Sequence, residues 1–135
     1  SVKEAFDKYL ANGKAAYSSN QLLTVRDCIE LINTAGGGAF IAHVHLIRLS
    51  DEQLESFLKE LIPCKLMGIE GYYTEYTQEM QDKYQALAAK LDLTISGGTD
   101  FHAKMKPHIL IGTGLGNMHI PYSVLEGIKE KINEK

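Results

Sequence analysis

Residues 39–45 read Ala-Phe-Ile-Ala-His-Val-His, an apolar run that breaks into histidine at its end. Four consecutive apolar residues behind the Gly36-Gly37-Gly38 stop predict a strand buried on both faces of a parallel sheet. Two further stretches have the same character. Residues 67–73, Met-Gly-Ile-Glu-Gly-Tyr-Tyr, predict a second strand. Residues 93–96, Leu-Thr-Ile-Ser, predict a third that runs into Gly97-Gly98.

Helical periodicity fills the gaps between them. Residues 2–10 predict a short helix with Val2, Phe6, Tyr9 and Leu10 on one side, ended by Gly13 and followed by a polar loop at 15–23. Thr24 is a plausible N-cap for a helix over 25–34, with Val25, Cys28, Ile29 and Ile32 as its apolar face. Ser50 and Gln53 form a capping-box pattern ahead of Leu54, Phe57, Leu58 and Leu61, and Pro63 closes that helix. A further helix is predicted over 78–91. The last is introduced by Pro121 and Ser123 and ends near Asn133. Helices alternating with apolar strands predict βαβ units, hence an α/β fold with parallel strands. Three strands are too few to close a barrel.

The 135 residues amount to one domain, 44% hydrophobic and 23% charged, with a net charge of -3. That balance argues against a protein that holds nucleic acid through a basic footprint. It leaves open an enzyme that neutralises phosphate with metal ions. Cys28 and Cys64 lack metal or redox spacing, which predicts buried thiols in a reducing, cytoplasmic setting. No apolar run approaches 18 residues, so no membrane span is expected. The chain opens without Met and inside a helical pattern, as a piece of a longer protein would.

Active residues of parallel α/β folds sit at the carboxyl ends of strands. The first predicted strand ends in His43-Val44-His45. On a strand, residues two apart point the same way, so both imidazoles are expected to face one site. The third runs into Thr99-Asp100-Phe101-His102, a carboxylate and an imidazole two apart, able to bind one divalent ion or one each of a pair. The plain alternatives are a hydrogen-bonded histidine and a capping aspartate. Glu70 lies among apolar neighbours and needs a partner, either a ligand histidine that it orients or a salt bridge. Tyr72, Tyr73 and Tyr76 suit stacking on a base or sugar, or simply the core. Lys104, Lys106 and His108 follow closely and could meet a phosphate, with a solvated loop the plainer reading for Lys104. Residues 112–116, Gly-Thr-Gly-Leu-Gly, do not form G-x-G-x-x-G, and Arg48 and His119 read as surface residues. With no G-x-S-x-G elbow and no nucleophilic cysteine signature, metal-assisted hydrolysis is the stronger class.

The segments IAHVH (41–45), MGIEGYY (67–73) and TISGGTDFHAKMKP (94–107), followed by IGTGLGN (111–117) and IPYSVLE (120–126), resemble the second half of the PHP (polymerase and histidinol phosphatase) family. The likeness is strongest to its stand-alone phosphoesterases acting on nucleoside bisphosphates and short oligonucleotides. The resemblance implies that residues 24–135 are the C-terminal part of a distorted (β/α)7 barrel and that residues 1–23 end a small helical insertion domain. It implies metal-ligand roles for His43, Asp100 and His102, and it matches Glu70 and the Lys106-Pro107 pair to family positions. Lys106, His45 and Glu70 are the candidate substrate-binding residues, although His45 stands where the family does not need histidine.

Two or three divalent ions, Mn, Fe or Zn, are implied for the complete site. A metal-activated water would then attack a phosphomonoester on a phosphorylated small molecule or short nucleotide. Val44 stands where the family has proline, Thr99 for serine and Ala103 for glycine. Leu46 stands where the bisphosphatases often place a phosphate-binding arginine. The family's first half, with its His-x-His pair, is the missing partner, and the open sheet edges left by its absence would favour self-association. The rival readings are a histidinol-phosphate phosphatase, a nuclease accessory of the same family, and a non-catalytic α/β interaction module.

Overall fold

The structure, a computed structural model, describes residues 1–18 and 23–134. Part of the predicted polar loop, 19–22, lies outside the described residues. Five helices and three strands are described: α1 (Val2–Ala5), α2 (Val25–Thr34), β1 (Ala39–Ile41), α3 (Asp51–Leu61), β2 (Leu66–Tyr73), α4 (Gln78–Lys90), β3 (Thr94–Gly98) and α5 (Tyr122–Asn133). The strands form one parallel sheet in the order β1-β2-β3. Their carboxyl ends therefore share one edge. The sheet is open, and none of the described helices is long and apolar enough to cross a membrane.

The helix starts follow from local chemistry. Thr24 and Asp27 close a capping box on α2, as Ser50 and Gln53 do on α3, and the Thr77 hydroxyl accepts from the Met80 N–H at the head of α4. Leu54, Leu58 and Leu61 of α3 share one buried cluster with Ile69 and Tyr73 of β2 and with Tyr84 and Ala88 of α4. The β2–β3 approach depends on Gly68. A β-carbon there would lie 2.0 Å from the Thr94 carbonyl oxygen, so no side chain is admitted. Gly114, at φ +59, packs against Thr74, where a β-carbon would lie 2.2 Å from Oγ1. The Gly-rich stretch is thus a turn seated on the sheet's end.

Three expectations need correction. The first strand ends at Ile41 instead of reaching His45. His43 adopts the left-handed conformation (φ 49°, ψ 48°), and Val44–Ile47 form a 3-10 turn. Residues 2–10 are helical only as α1 followed by a π turn at Phe6–Leu10. Their apolar side stays exposed, Val2 at 84%. On α2 only Ile29 is buried. Cys28 is exposed, against the expectation of a buried thiol, whereas Cys64 is partly buried and packs against the core cluster. The reason is the position of α2 against the edge strand β1, where one residue of its apolar face meets the core.

Glu55 of α3 accepts from Lys59 on its own helix and from Lys90 of α4, both at 2.7 Å. These two ammonium groups hold its carboxyl down at about 2, against an ordinary value of 4.5. A depressed carboxylate contributes stability that is complete above its unfolded pKa and lost as the pH falls through the folded one. Glu55→Gln is therefore expected to melt below the wild-type chain at neutral pH. The gap should close between about pH 4.5 and 2, where wild-type Glu55 becomes the neutral near-isostere of Gln. Thermal unfolding across that range checks it, and a gap independent of pH would refute the bridging role.

Candidate functional site

The turn after β1 is built by the neighbouring strand. Glu70, on the central strand and 8% exposed, accepts a hydrogen bond from the His43 N–H at 2.8 Å. The Tyr76 hydroxyl oxygen accepts from the Val44 N–H at 3.0 Å. These two bonds end the β ladder and tip His43 into its left-handed conformation. The His43 ring meets Tyr73 edge-on, with centroids 4.7 Å apart. Its Nδ1 is buried, makes no hydrogen bond and stands 3.4 Å from Glu70 Oε2. A carboxylate on that side favours the proton on Nδ1, leaving Nε2 with the free lone pair. Burial raises the Glu70 carboxyl above its usual range. The His43 N–H and ring oppose that shift, and the Asp100 charge adds to it.

Asp100 lies two residues beyond β3, also at positive φ (55°). Three groups converge on its carboxylate. Lys106 donates to Oδ2, the Tyr73 hydroxyl donates to the same oxygen at 3.2 Å, and His102 Nδ1 lies 3.3 Å from Oδ1. Lys106 is the main reason that the Asp100 carboxyl is held below its ordinary value. Tyr73 is pushed up to about 12, first by burial and then by the charges of Glu75 and Asp100, so it remains a donor at neutral pH. His102 Nδ1 also lies 2.8 Å from the Asp100 carbonyl oxygen. A carbonyl only accepts, so Nδ1 carries the proton and Nε2 the lone pair.

His43, Tyr73, Asp100, His102 and Lys106 line one cavity of about 520 Å³. The structure thus brings together five residues singled out in the sequence. It does not bring His45, whose ring packs between Tyr73 and Tyr76 (centroids 5.5 and 5.3 Å) with its Nδ1 buried and unpartnered. The two-apart rule fails there because the strand has already ended. Glu70 is not in the lining either; it supports the turn from beneath. Lys104 and His108 are exposed, and Tyr72 lines a separate groove with α4 and α5. The contribution of Tyr73 as a donor to Asp100 was not foreseen, although its place at the end of β2 was the available signal.

Imidazole nitrogen and carboxylate oxygen without thiolate form a donor set that Mn, Fe or Zn accept. Among the described residues no three His, Cys, Asp or Glu side chains are grouped closely enough to enclose an ion. The residues present fit a share of a metal centre.

No protein-family model matches the chain. It is 30% identical over 102 residues to the 5'-3' exoribonuclease Rnm of Escherichia coli, and 30% identical over 102 residues to the 3',5'-nucleoside bisphosphate phosphatase of Chromobacterium violaceum. Each match covers 76% of this chain but only 35% and 36% of those proteins, so the chain spans about a third of the length of the curated relatives it matches. A crystal structure from Bifidobacterium adolescentis, described as a metal-dependent phosphoesterase, superposes with a TM-score of 0.65 at 27% identity, over 93% of this chain and 43% of that one. An amidohydrolase from Chromobacterium violaceum, with sulfate and no metal, gives 0.59 at 31% identity, over 76% and 36%.

Replacing Glu70 by Ala is expected to destabilise the chain by about 1–3 kcal/mol, because the part-buried His43 N–H loses its acceptor. Glu70→Gln keeps an acceptor and should lose less. Urea unfolding measures the first effect, and hydrogen exchange at the His43 amide locates it. An Ala variant with wild-type stability and a protected amide would refute this account of the turn.

Proposed function

As a relative of the PHP-type phosphoesterases, this chain, we propose, carries one share of a divalent-metal site that hydrolyses phosphoesters. The observation that supports this most is the shared cavity at the carboxyl edge of the sheet, where His43, Asp100, His102 and Lys106 meet. In this reading His43, Asp100 and His102 hold Mn, Fe or Zn, two or three ions in the complete site. Further ligands come from residues outside this chain. A bound ion supplies hydroxide near neutral pH and stabilises charge on the phosphoryl oxygens.

The chain's own residues prepare that chemistry. The Asp100 carbonyl fixes the His102 proton on Nδ1, so that ring offers Nε2, and Glu70, 3.4 Å from His43 Nδ1, favours the same tautomer there. Tyr73 holds one oxygen of Asp100 in place. Lys106 supplies a positive charge at the cavity wall for a phosphate. The substrate is a phosphomonoester on a nucleotide-like small molecule or short oligonucleotide, in keeping with the exoribonuclease and bisphosphatase among the relatives. Residues 24–135 then form the closing part of a distorted (β/α)7 barrel, which the consecutive strand order suits, and residues 1–23 end an insertion. The free edges of β1 and β3 are where the rest of the barrel, or a second copy of this chain, would pair.

In the longer protein that carries this chain, Asp100→Ala is expected to lower turnover of a 3',5'-nucleoside bisphosphate with Mn on the order of 10³-fold. The variant loses the Lys106 and Tyr73 bonds to Asp100, so it is expected to melt somewhat lower while remaining folded at the assay temperature. Steady-state kinetics and a melting curve on the same samples make the test. Unchanged turnover in the folded variant would remove Asp100 from the site.

A further inference from the structure

Each oxygen of the Asp100 carboxylate already faces a donor. Oδ2 receives Lys106 and the Tyr73 hydroxyl, and Oδ1 stands 3.3 Å from His102 Nδ1. An arriving cation therefore meets a carboxylate whose charge is already balanced by an ammonium. The Lys106 backbone is anchored. The Ala103–Met105 turn folds it back toward Asp100, and its carbonyl accepts from Ile109, a residue 2% exposed. Its side chain has no such anchor beyond Asp100. A four-carbon stem carrying a point charge can swing without disturbing the backbone, and Glu75 on the same cavity wall keeps the ammonium nearby.

We propose that Lys106 is a built-in counter-ion for Asp100 that a divalent ion must displace, and that this displacement delivers the ammonium to the phosphate side of the cavity. The proposal rests on the metal-site reading above. The ammonium takes the place of the ion at Asp100 while the site is unloaded, and becomes an anion-binding group once the ion is in place. The two cations compete for one carboxylate, so ion affinity is set partly by a residue that never ligates the ion. Metal loading and phosphate binding are coupled through the same side chain.

The test measures Mn binding to the longer protein that carries this chain, by titration with electron paramagnetic resonance of the free ion, and then binding of inorganic phosphate to the loaded protein. Lys106→Met keeps the stem and removes the charge. It is expected to bind Mn about tenfold more tightly than wild type and, once loaded, to bind inorganic phosphate more weakly. Lys106→Arg keeps the charge and should show no such gain in Mn affinity. Equal or weaker Mn binding by folded Lys106→Met would overturn the counter-ion role and leave the metal site standing. No Mn binding by either protein would overturn both.

A second measurement needs no variant. In the wild-type longer protein with ¹³Cε-labelled lysine, saturating Zn should shift and narrow the Lys106 resonance as the ion pair breaks. A Lys106 resonance that stays in place while Zn shifts the His102 ring signals would also overturn the proposal.

Discussion

A single buried carboxylate, that of Glu70, holds the carboxyl edge of the sheet in its working shape. It sits on the central strand and accepts the backbone N–H of a residue on the neighbouring segment, His43, at 2.8 Å. Left-handed backbone at a non-glycine residue costs about 1–3 kcal/mol, and a hydrogen bond to a charged acceptor contributes about 1.5–3 kcal/mol. The two are of similar size, so the turn persists because Glu70, together with the Tyr76 hydroxyl on Val44, over-determines it. The same carboxylate stands 3.4 Å from the His43 ring Nδ1 and favours the proton there. Backbone shape and imidazole orientation thus meet at one group.

The second half of the edge is organised around Asp100. Tyr73 links the two halves, since its ring packs against His43 while its hydroxyl reaches Asp100. Two carboxylates, Glu70 and Asp100, lie near enough for each charge to disfavour the other. Asp100 is compensated by Lys106, and Glu70 by the His43 N–H and ring. On the proposed reading, a divalent ion would bind at this edge in place of part of that compensation. Tyr73 pairs with Gly98 across β2–β3, which places Asp100, two residues further on, within reach of its hydroxyl.

Much of this was legible in the sequence, for identifiable reasons. The capping pairs at Thr24 and Ser50 act over three residues, so local pattern was enough to place α2 and α3. The long apolar run at 66–73 is central and buried on both faces, which is the signal a parallel strand leaves. The end of β1 was not legible, because it is fixed by Glu70 and Tyr76, about thirty residues away, and not by anything in residues 39–45. His45 was misplaced for the same reason. The exposure of Cys28 follows from α2 lying on an edge strand, which apolar spacing alone does not reveal. Lys106 was visible as a phosphate-binding candidate. Its pairing with Asp100 depends on a 3-10 turn that no repeat or motif marks.

The most direct test of a metal-sharing edge is a crystal structure of the longer protein grown with Mn, with anomalous differences recorded to locate the ions. The account predicts anomalous density within about 2.0–2.3 Å of an Asp100 carboxylate oxygen and of a histidine Nε2 of His43 or His102, with the Lys106 ammonium no longer on Asp100. Mn density away from these side chains, with Lys106 still paired to Asp100, would contradict it.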